Sequence, residues 1–409
     1  MLAQKNSVIG IVAEYNPFHK GHSYQINKAR SLIGDVPVIA VMSGSFTQRG
    51  EAAILDKWTR ARLAIVGGID LVLELPAIYA CRSSEKFARG AVGTLAATGL
   101  VTHLAFGTET KNPDLLANLA QKEINKSLLK EYLKTGLTYG AAVEKTLGAE
   151  KFNKNLGTLL KGSNNILALE YYRSLNKLAS AIIPLPLTRH GAEYKSLSLK
   201  QSLPSATAIR AELLNRGCTQ EAKNALPEPV TTLLSHILQQ QKPGVDEAKV
   251  TLLLNYILST YTPAKLKNFC DCSEGLENKM VKAAGGKTLE QIVAAIKSKR
   301  YPATRIQRLL CQLLISTDEV PFSATAALSP SYIRVLAFNE RGQQLLRKMK
   351  KTASLPILNK LGKNIFTVQD NTAFALTLKT EIAATNLYDL LAGTGYYNRD
   401  FLQSSLKVK

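Results

Sequence analysis

Two of the five histidines in this 409-residue chain stand three apart, around a glycine, in the stretch EYNPFHKGH at 14–22. The run ahead of them, SVIGIVAEY, is apolar enough for a buried strand, and HSYQINKARSL behind them has the apolar spacing of a helix. Pro17 sets a turn, and Gly21 lets backbone or ligand approach closely. His19 and His22 therefore fall near the first turn of a helix, on one face at i and i+3. A helix N-terminus attracts phosphate through its free N–H groups and its dipole. Two imidazoles there add donors that can follow charge building on a phosphoryl group. That is electrostatic stabilisation of a transition state, and neither ring need act as a nucleophile. Taken alone, H-x-G-H also fits a pair of capping or packing histidines, because short motifs match by chance.

The elements around the motif alternate. SVIGIVAEY, VPVIAVMS, IDLVLELP and VTHLAFG read as strands, apolar on both faces. Between them lie helical stretches: HSYQINKARSL, DKWTRARLAIVGG (opened by Asp56 and closed by Gly67 and Gly68) and SSEKFARGAVGTLAATG. The pattern predicts an α/β fold with a Rossmann-like, doubly wound parallel sheet. Such sheets bind ligands beyond the carboxyl ends of their strands, which is where the histidines fall. A helix at NNILALEYYRSLNKL, a proline-interrupted strand at SAIIPLPLTR and a helix at PSATAIRAELLNRG with Ser205 near its N-cap complete the alternating unit. Beyond about residue 220 helical patterns dominate, and Pro227, Pro229 and Pro243 mark a linker zone. Two domains are expected, an alternating one over 1–220 and a mainly helical, basic one over 221–409.

Lys and Arg number 52 against 31 Asp and Glu, a formal net charge of +21. That excess suits a polyanionic partner, with nucleic acid favoured over a general solubility habit. The longest apolar runs, such as IDLVLELPAIYA, are too short and too charged to span a membrane, and the N-terminus reads as a first strand. Cys81, Cys218, Cys270, Cys272 and Cys311 are scattered and odd in number, which points to free thiols in a reducing cytoplasm. In KSKRYPATRIQR, the cations Lys297, Lys299, Arg300, Arg305 and Arg308 surround Tyr301 with no acid among them. Such a block can neutralise phosphates and stack a base, or be a solvated helix face. Pro302 is expected to break its helix. RKMKK at 347–351 is a weaker second patch.

NPFHKGH resembles the H-x-G-H signature of the nucleotidyltransferase superfamily, which includes adenylyltransferases and class I aminoacyl-tRNA synthetases. The blocks VAEYNPFHKGH, MSGSFTQRGEAAILDKWTRARLAI, GIDLVLELP, FGTE, SNNILALEY, SATAIR and KSKRYPATRIQRLL follow the order found in the tRNA(Met) cytidine acetate ligases, and that likeness covers most of the chain. The resemblance implies an ATP-dependent ligase that activates acetate as acetyl-adenylate and acetylates N4 of the wobble cytidine of elongator tRNA(Met). It implies ATP as co-substrate, Mg²⁺ beside it, and His19 and His22 as the catalytic pair. It implies an ATP-binding segment of Val12, Ala13, Glu14, Tyr15, Asn16, Pro17, Phe18, His19, Lys20, Gly21, His22, Ser23, Tyr24 and Gln25, joined by Gly107, Asn164 (or its neighbour Asn165) and Arg189.

Related adenylyltransferases carry a hydroxyl-rich helix start where this chain has SATAIR, so Ser205, Thr207 and Arg210 are candidate phosphate contacts. Ser43, Thr47, Gln48 and Arg49 are candidates for the acetate or cytidine pocket, while Asp56 and Lys57 are expected to serve helix capping. The likeness also makes Lys297, Lys299, Arg300, Tyr301, Arg305 and Arg308 a candidate tRNA-binding block. No K-M-S-K-S loop is present, which counts against an aminoacyl-tRNA synthetase. The rival readings are a cofactor-type nucleotidylyltransferase, which leaves the basic half unexplained, and a non-catalytic RNA- or ribosome-associated protein of the same fold.

Overall fold

Short runs rich in Val, Ile and Leu between helices build the centre of the molecule. A computed structural model describes residues 7–135, 137, 139–147, 156–189, 199, 203–269, 272, 275–298, 301–316, 329–362, 364–366 and 372–409. Its strands are β1 (Ile9–Ala13), β2 (Val38–Ser43), β3 (Leu71–Leu75), β4 (His103–Thr108), β5 (Ile183–Thr188), β6 (Ile333–Phe338), β7 (Ile357–Leu358) and β8 (Leu406–Lys407). They form one sheet in the order β5-β4-β1-β2-β3-β6-β7, with β8 also paired to β6. The five strands β5 to β3 in that order are mutually parallel. The sequence reading of a doubly wound parallel sheet is borne out.

Alternation along each strand sends side chains to two cores. Ile39 and Val41 of β2 join Leu71, Leu73 and Leu104 on one face, under Phe87, Val92 and Leu169 of the helices Ser84–Ala97 and Ser163–Lys177. Val38, Ala40 and Met42 join Ile9 and Ile11 on the other, under Ile26, Ala61 and Leu63 of the helices Lys20–Ile33 and Lys57–Val66. Both faces are covered, which is why these strands carry no polar face. Pro184 and Pro186 fit β5 because it is an edge strand, where a missing N–H costs the ladder little.

The sheet does not end with the alternating half. β6, from the helical half, pairs antiparallel with β3 in an otherwise parallel sheet, and β7 and β8 pair with β6. Residues from both halves share one apolar core, including Leu73 and Leu95 with Leu309, Leu313 and Val335. The expected boundary near residue 220 is thus crossed by hydrogen bonds and packing, because IRVLAF is a buried strand inside a helical stretch.

A buried ionic cluster ties the halves together. Asp56 caps its helix as expected, accepting from the N–H groups of Trp58 and Thr59 at 3.1 Å. Lys57 does not serve the cap. Its fully buried ammonium lies 2.7 Å from Glu74 of β3, 3.3 Å from Glu381 and 2.9 Å from Asp400. Burial pulls Lys57 toward neutrality, but the three carboxylates outweigh it and raise its pKa. Burial, with the charge of Glu74, pushes the Glu381 carboxyl well up. Arg334 of β6 donates to the Asp400 carbonyl at 3.2 Å and completes the group.

Cys81, Cys218, Cys272 and Cys311 are free thiols, while Cys270 lies outside the described residues. Among the described residues no helix is long and apolar enough to cross a membrane.

Candidate active site

The chain runs β1, β2, β3 outward in one direction, then returns to place β4 on the other side of β1. The crevice beyond the carboxyl ends of β1 and β4 is therefore the point where the winding reverses, the usual ligand site of such sheets. A cavity of about 1340 Å³ opens there.

His19 is the N-cap of the helix Lys20–Ile33. Its Nδ1 accepts from the Gly21 N–H at 3.0 Å, and Nδ1 of His22 accepts from the His19 N–H at 3.2 Å. This is a capping box made of two imidazoles. The rings stack with centroids 3.8 Å apart. Because each Nδ1 is an acceptor, each ring proton sits on Nε2, so both rings are neutral donors with the Nε2–H as the free valence. Burial lowers the pKa of both, and the Arg189 and Arg210 charges add to it for His19, which falls to about 3. A Cβ at Gly21 would stand 2.8 Å from the His19 ring, so only glycine admits this packing. Tyr15 has φ +43°, a left-handed conformation costing an aromatic residue about 1–3 kcal/mol. Its buried ring is locked against Phe18 at 4.9 Å and His22 at 4.8 Å.

Ten of the fourteen residues of the segment line the cavity: Val12, Ala13, Glu14, Tyr15, Asn16, His19, Gly21, His22, Tyr24 and Gln25. Pro17, Phe18, Lys20 and Ser23 do not. Phe18 is fully buried in the core, and the exposed Lys20 donates its N–H to the Ala225 carbonyl at 3.0 Å. Gly107, Asn164 and Arg189 line the cavity too. A Cβ at Gly107 would stand 2.9 Å from Cγ of Arg189, so the glycine lets that arginine lie across the end of β4.

The asparagine pair separates by role. Asn165 accepts from the N–H groups of Glu109 and Thr110 and donates to the Leu159 carbonyl, so its side chain is spent on structure. Asn164 is in the first turn of a helix whose N-cap is Gly162, and so is not the cap itself. Its amide donates to Glu109 at 2.6 Å. Glu109, the acid of FGTE, also takes the N–H groups of Asn164 and Asn165 and closes that helix start.

Ser205 caps its helix by accepting from the Ala208 N–H at 3.1 Å and reaches the cavity with Arg210; Thr207 is not in the wall. Arg210 donates to the Asn16 carbonyl at 3.0 Å, fixing the helix start against the motif. Of the four acetate or cytidine candidates, Gln48 and Arg49 line the cavity, whereas Ser43 and Thr47 are buried behind it. Arg60 escaped the sequence reading. Fully buried, it donates to the carbonyls of Glu14 (2.6 Å), Ser43 (2.9 Å), Gly44 and Leu55 (3.0 Å), and so clamps the ends of β1 and β2 together.

The basic block divides. The helix Leu289–Ile296 stops before it and Ala303–Ile315 starts after Pro302, so the break expected at the proline is real. Lys297 is exposed, and Lys299 and Arg300 lie outside the described residues. Tyr301 is only 3% exposed, with Arg305 and Lys279 over its ring at 5.2 and 5.6 Å, so its face is not open to a base. Arg308 joins the cavity wall. Gly50, at φ +77°, brings the loop after β2 so close that a Cβ there would meet the backbone of Gln307 and Arg308 at 2.5 Å. In the second patch Arg347, Lys348, Lys350 and Lys351 are exposed around the buried Met349.

Among the described residues no group of three or more His, Cys, Asp and Glu could hold a metal ion. Among the described residues, the cavity wall beside the two imidazoles brings Arg189 and Arg210 and, from the 12–25 segment, the one carboxylate Glu14, so these residues form no cradle for Mg²⁺.

The HIGH Nucleotidyl Transferase family model matches residues 6–403. The tRNA(Met) cytidine acetate ligase of Clostridium novyi is 38% identical over 411 residues, covering 98% of this chain and 100% of that protein. A crystal structure of Thermotoga maritima TmcAL superposes with a TM-score of 0.89 at 32% identity, covering 98% of this chain and 99% of the other. A second crystal form, bound with alpha-thio ATP, gives 0.86 at 31% identity over 98% and 100%.

Proposed function

Because this chain belongs to the family of tRNA(Met) cytidine acetate ligases, within the HIGH nucleotidyl transferases, we propose that it joins free acetate to ATP and passes the acetyl group to N4 of the wobble cytidine of elongator tRNA(Met). An acetate oxygen attacks the α-phosphorus, and pyrophosphate leaves. As charge spreads over the phosphoryl oxygens, the Nε2–H groups of His19 and His22 donate to them without changing protonation state. Arg189 and Arg210 supply the positive charge at that end of the cavity. The cytidine amine then attacks the acetyl carbonyl, and AMP leaves. The cavity of about 1340 Å³ is larger than a common small-ligand site, which leaves room for a base beside the adenylate.

Lys297, Lys299, Arg300 and the exposed cations at 347–351 are the proposed backbone contacts for tRNA, with Arg308 at the cavity rim. A reducing cytoplasm is the proposed compartment, in keeping with the free thiols.

The observation that carries this reading is the pair of imidazoles whose Nδ1 atoms are both occupied by backbone N–H groups, at a helix start where the sheet reverses. The test is acetate-dependent ATP–pyrophosphate exchange without tRNA. Exchange is expected in the wild type and lost in the double variant His19→Asn/His22→Asn. Equal exchange in both would remove the role.

A further inference from the structure

The segment from 12 to 25 contains one carboxylate, Glu14, and an anion is ill-suited to hold a polyphosphate. Glu14 follows the last residue of β1, so it stands at the switch point itself, and its side chain lines the cavity. The N–H of Gln48 donates to Oε1 at 2.8 Å and fixes the rotamer, while Arg60 holds the Glu14 carbonyl at 2.6 Å. The carboxylate is thus held by the loop after β2 and its backbone by Arg60, in the cavity that His19 and His22 also line and beside the loop whose other side meets Arg308.

We propose that Glu14 recognises the exocyclic amine of the incoming cytosine and accepts its proton during acyl transfer. This role rests on the function proposed above. Cytosine N4 presents two N–H donors, and a carboxylate is the side chain that accepts from them. Uracil presents a carbonyl oxygen at the same place and is repelled. The amine is conjugated with its ring and a poor nucleophile, so removing a proton as the bond forms favours attack. In the step, the N4 lone pair forms a C–N bond to the acetyl carbon. The acyl C–O bond to phosphate breaks, and AMP leaves with that electron pair. The N4 proton passes to Glu14 and then to solvent.

Arg210, Arg49, Glu51, Arg60, Tyr171 and Cys81 surround the group. Burial pushes its pKa up, against the Gln48 hydrogen bond and the arginines, which makes it a stronger base than a surface glutamate.

The test compares full-length wild type with Glu14→Gln and Glu14→Asp in two assays. One is acetate-dependent ATP–pyrophosphate exchange without tRNA. The other is single-turnover transfer from preformed acetyl-adenylate to tRNA(Met), followed over pH. Transfer by Glu14→Gln is expected to fall by about 10²–10⁴-fold, at least tenfold more than its exchange falls. The acid limb of the wild-type transfer profile should vanish in Glu14→Gln and persist in Glu14→Asp. Parallel loss of exchange and transfer would make Glu14 a part of the ATP site instead and overturn the proposal. So would an acid limb retained in Glu14→Gln. Absence of exchange in the wild type would count against the function itself, which is a separate outcome.

Discussion

At the scale of single residues, His19 has two duties that chemistry can separate. It caps a helix through Nδ1 and offers Nε2–H to the cavity. Asparagine keeps an acceptor near Nδ1 and lacks the distal donor. His19→Asn should therefore melt within about 1 kcal/mol of wild type yet slow acetyl-adenylate formation by about 10²-fold or more. Thermal melts and pyrophosphate release measure the two effects. The depressed His19 pKa has a pH consequence of fixed sign. Below about pH 6.5 the unfolded chain takes up a proton that the folded ring refuses until about 3. Stability from this residue is complete above the first value and declines as pH falls toward the second. Denaturation followed from neutral to acid pH should show that decline, and His19→Asn should flatten it. The NPFHKGH site was legible in the sequence because its spacing, its turn and its helix start are all local. Arg60 was not, because its partners are backbone carbonyls at the ends of β1 and β2, which only the folded sheet brings to one side chain.

At the scale of elements, the alternation of apolar strands and capped helices made β1 to β5 legible and placed the cavity beyond their carboxyl ends. β6 was hidden because a six-residue run, five apolar residues and Arg334, between long helices has no period that marks it as strand. Lys57 was misread for a similar reason. A lysine after an N-cap is ordinary on a surface, and only tertiary packing brings Glu74, Glu381 and Asp400 around it. Removing that ammonium strands buried carboxylates, so Lys57→Met should lower unfolding free energy by about 3–5 kcal/mol. Urea denaturation reads this directly, and a change within experimental error would contradict the cluster's role. Gly107→Ala addresses the end of β4 instead. The added methyl displaces Arg189, so KM for ATP should rise several-fold with little change in melting temperature.

At the scale of the whole molecule, the charge of +21 pointed to nucleic acid but could not place the surface. Folding divides the basic block between solvent, core and cavity: Lys297 is exposed, Tyr301 buried and Arg308 in the wall. That division predicts a division of effects. Replacing Lys297, Lys299 and Arg300 by alanine together should weaken tRNA binding, flatten its salt dependence by about one unit of slope per lost phosphate contact, and spare tRNA-free exchange. Filter binding across a salt series measures it, and an unchanged affinity would show that these residues are only a solvated face. The central claim is that one cavity, at the point where the sheet reverses, first activates free acetate and then serves a cytidine. Its most direct measurement supplies the purified protein with ATP, labelled acetate and tRNA(Met), and analyses the nucleosides. The account predicts label in N4-acetylcytidine, with AMP and pyrophosphate formed in equal amounts and none of it without ATP. Acetylation that proceeds from acetyl-coenzyme A with no ATP consumed would contradict it.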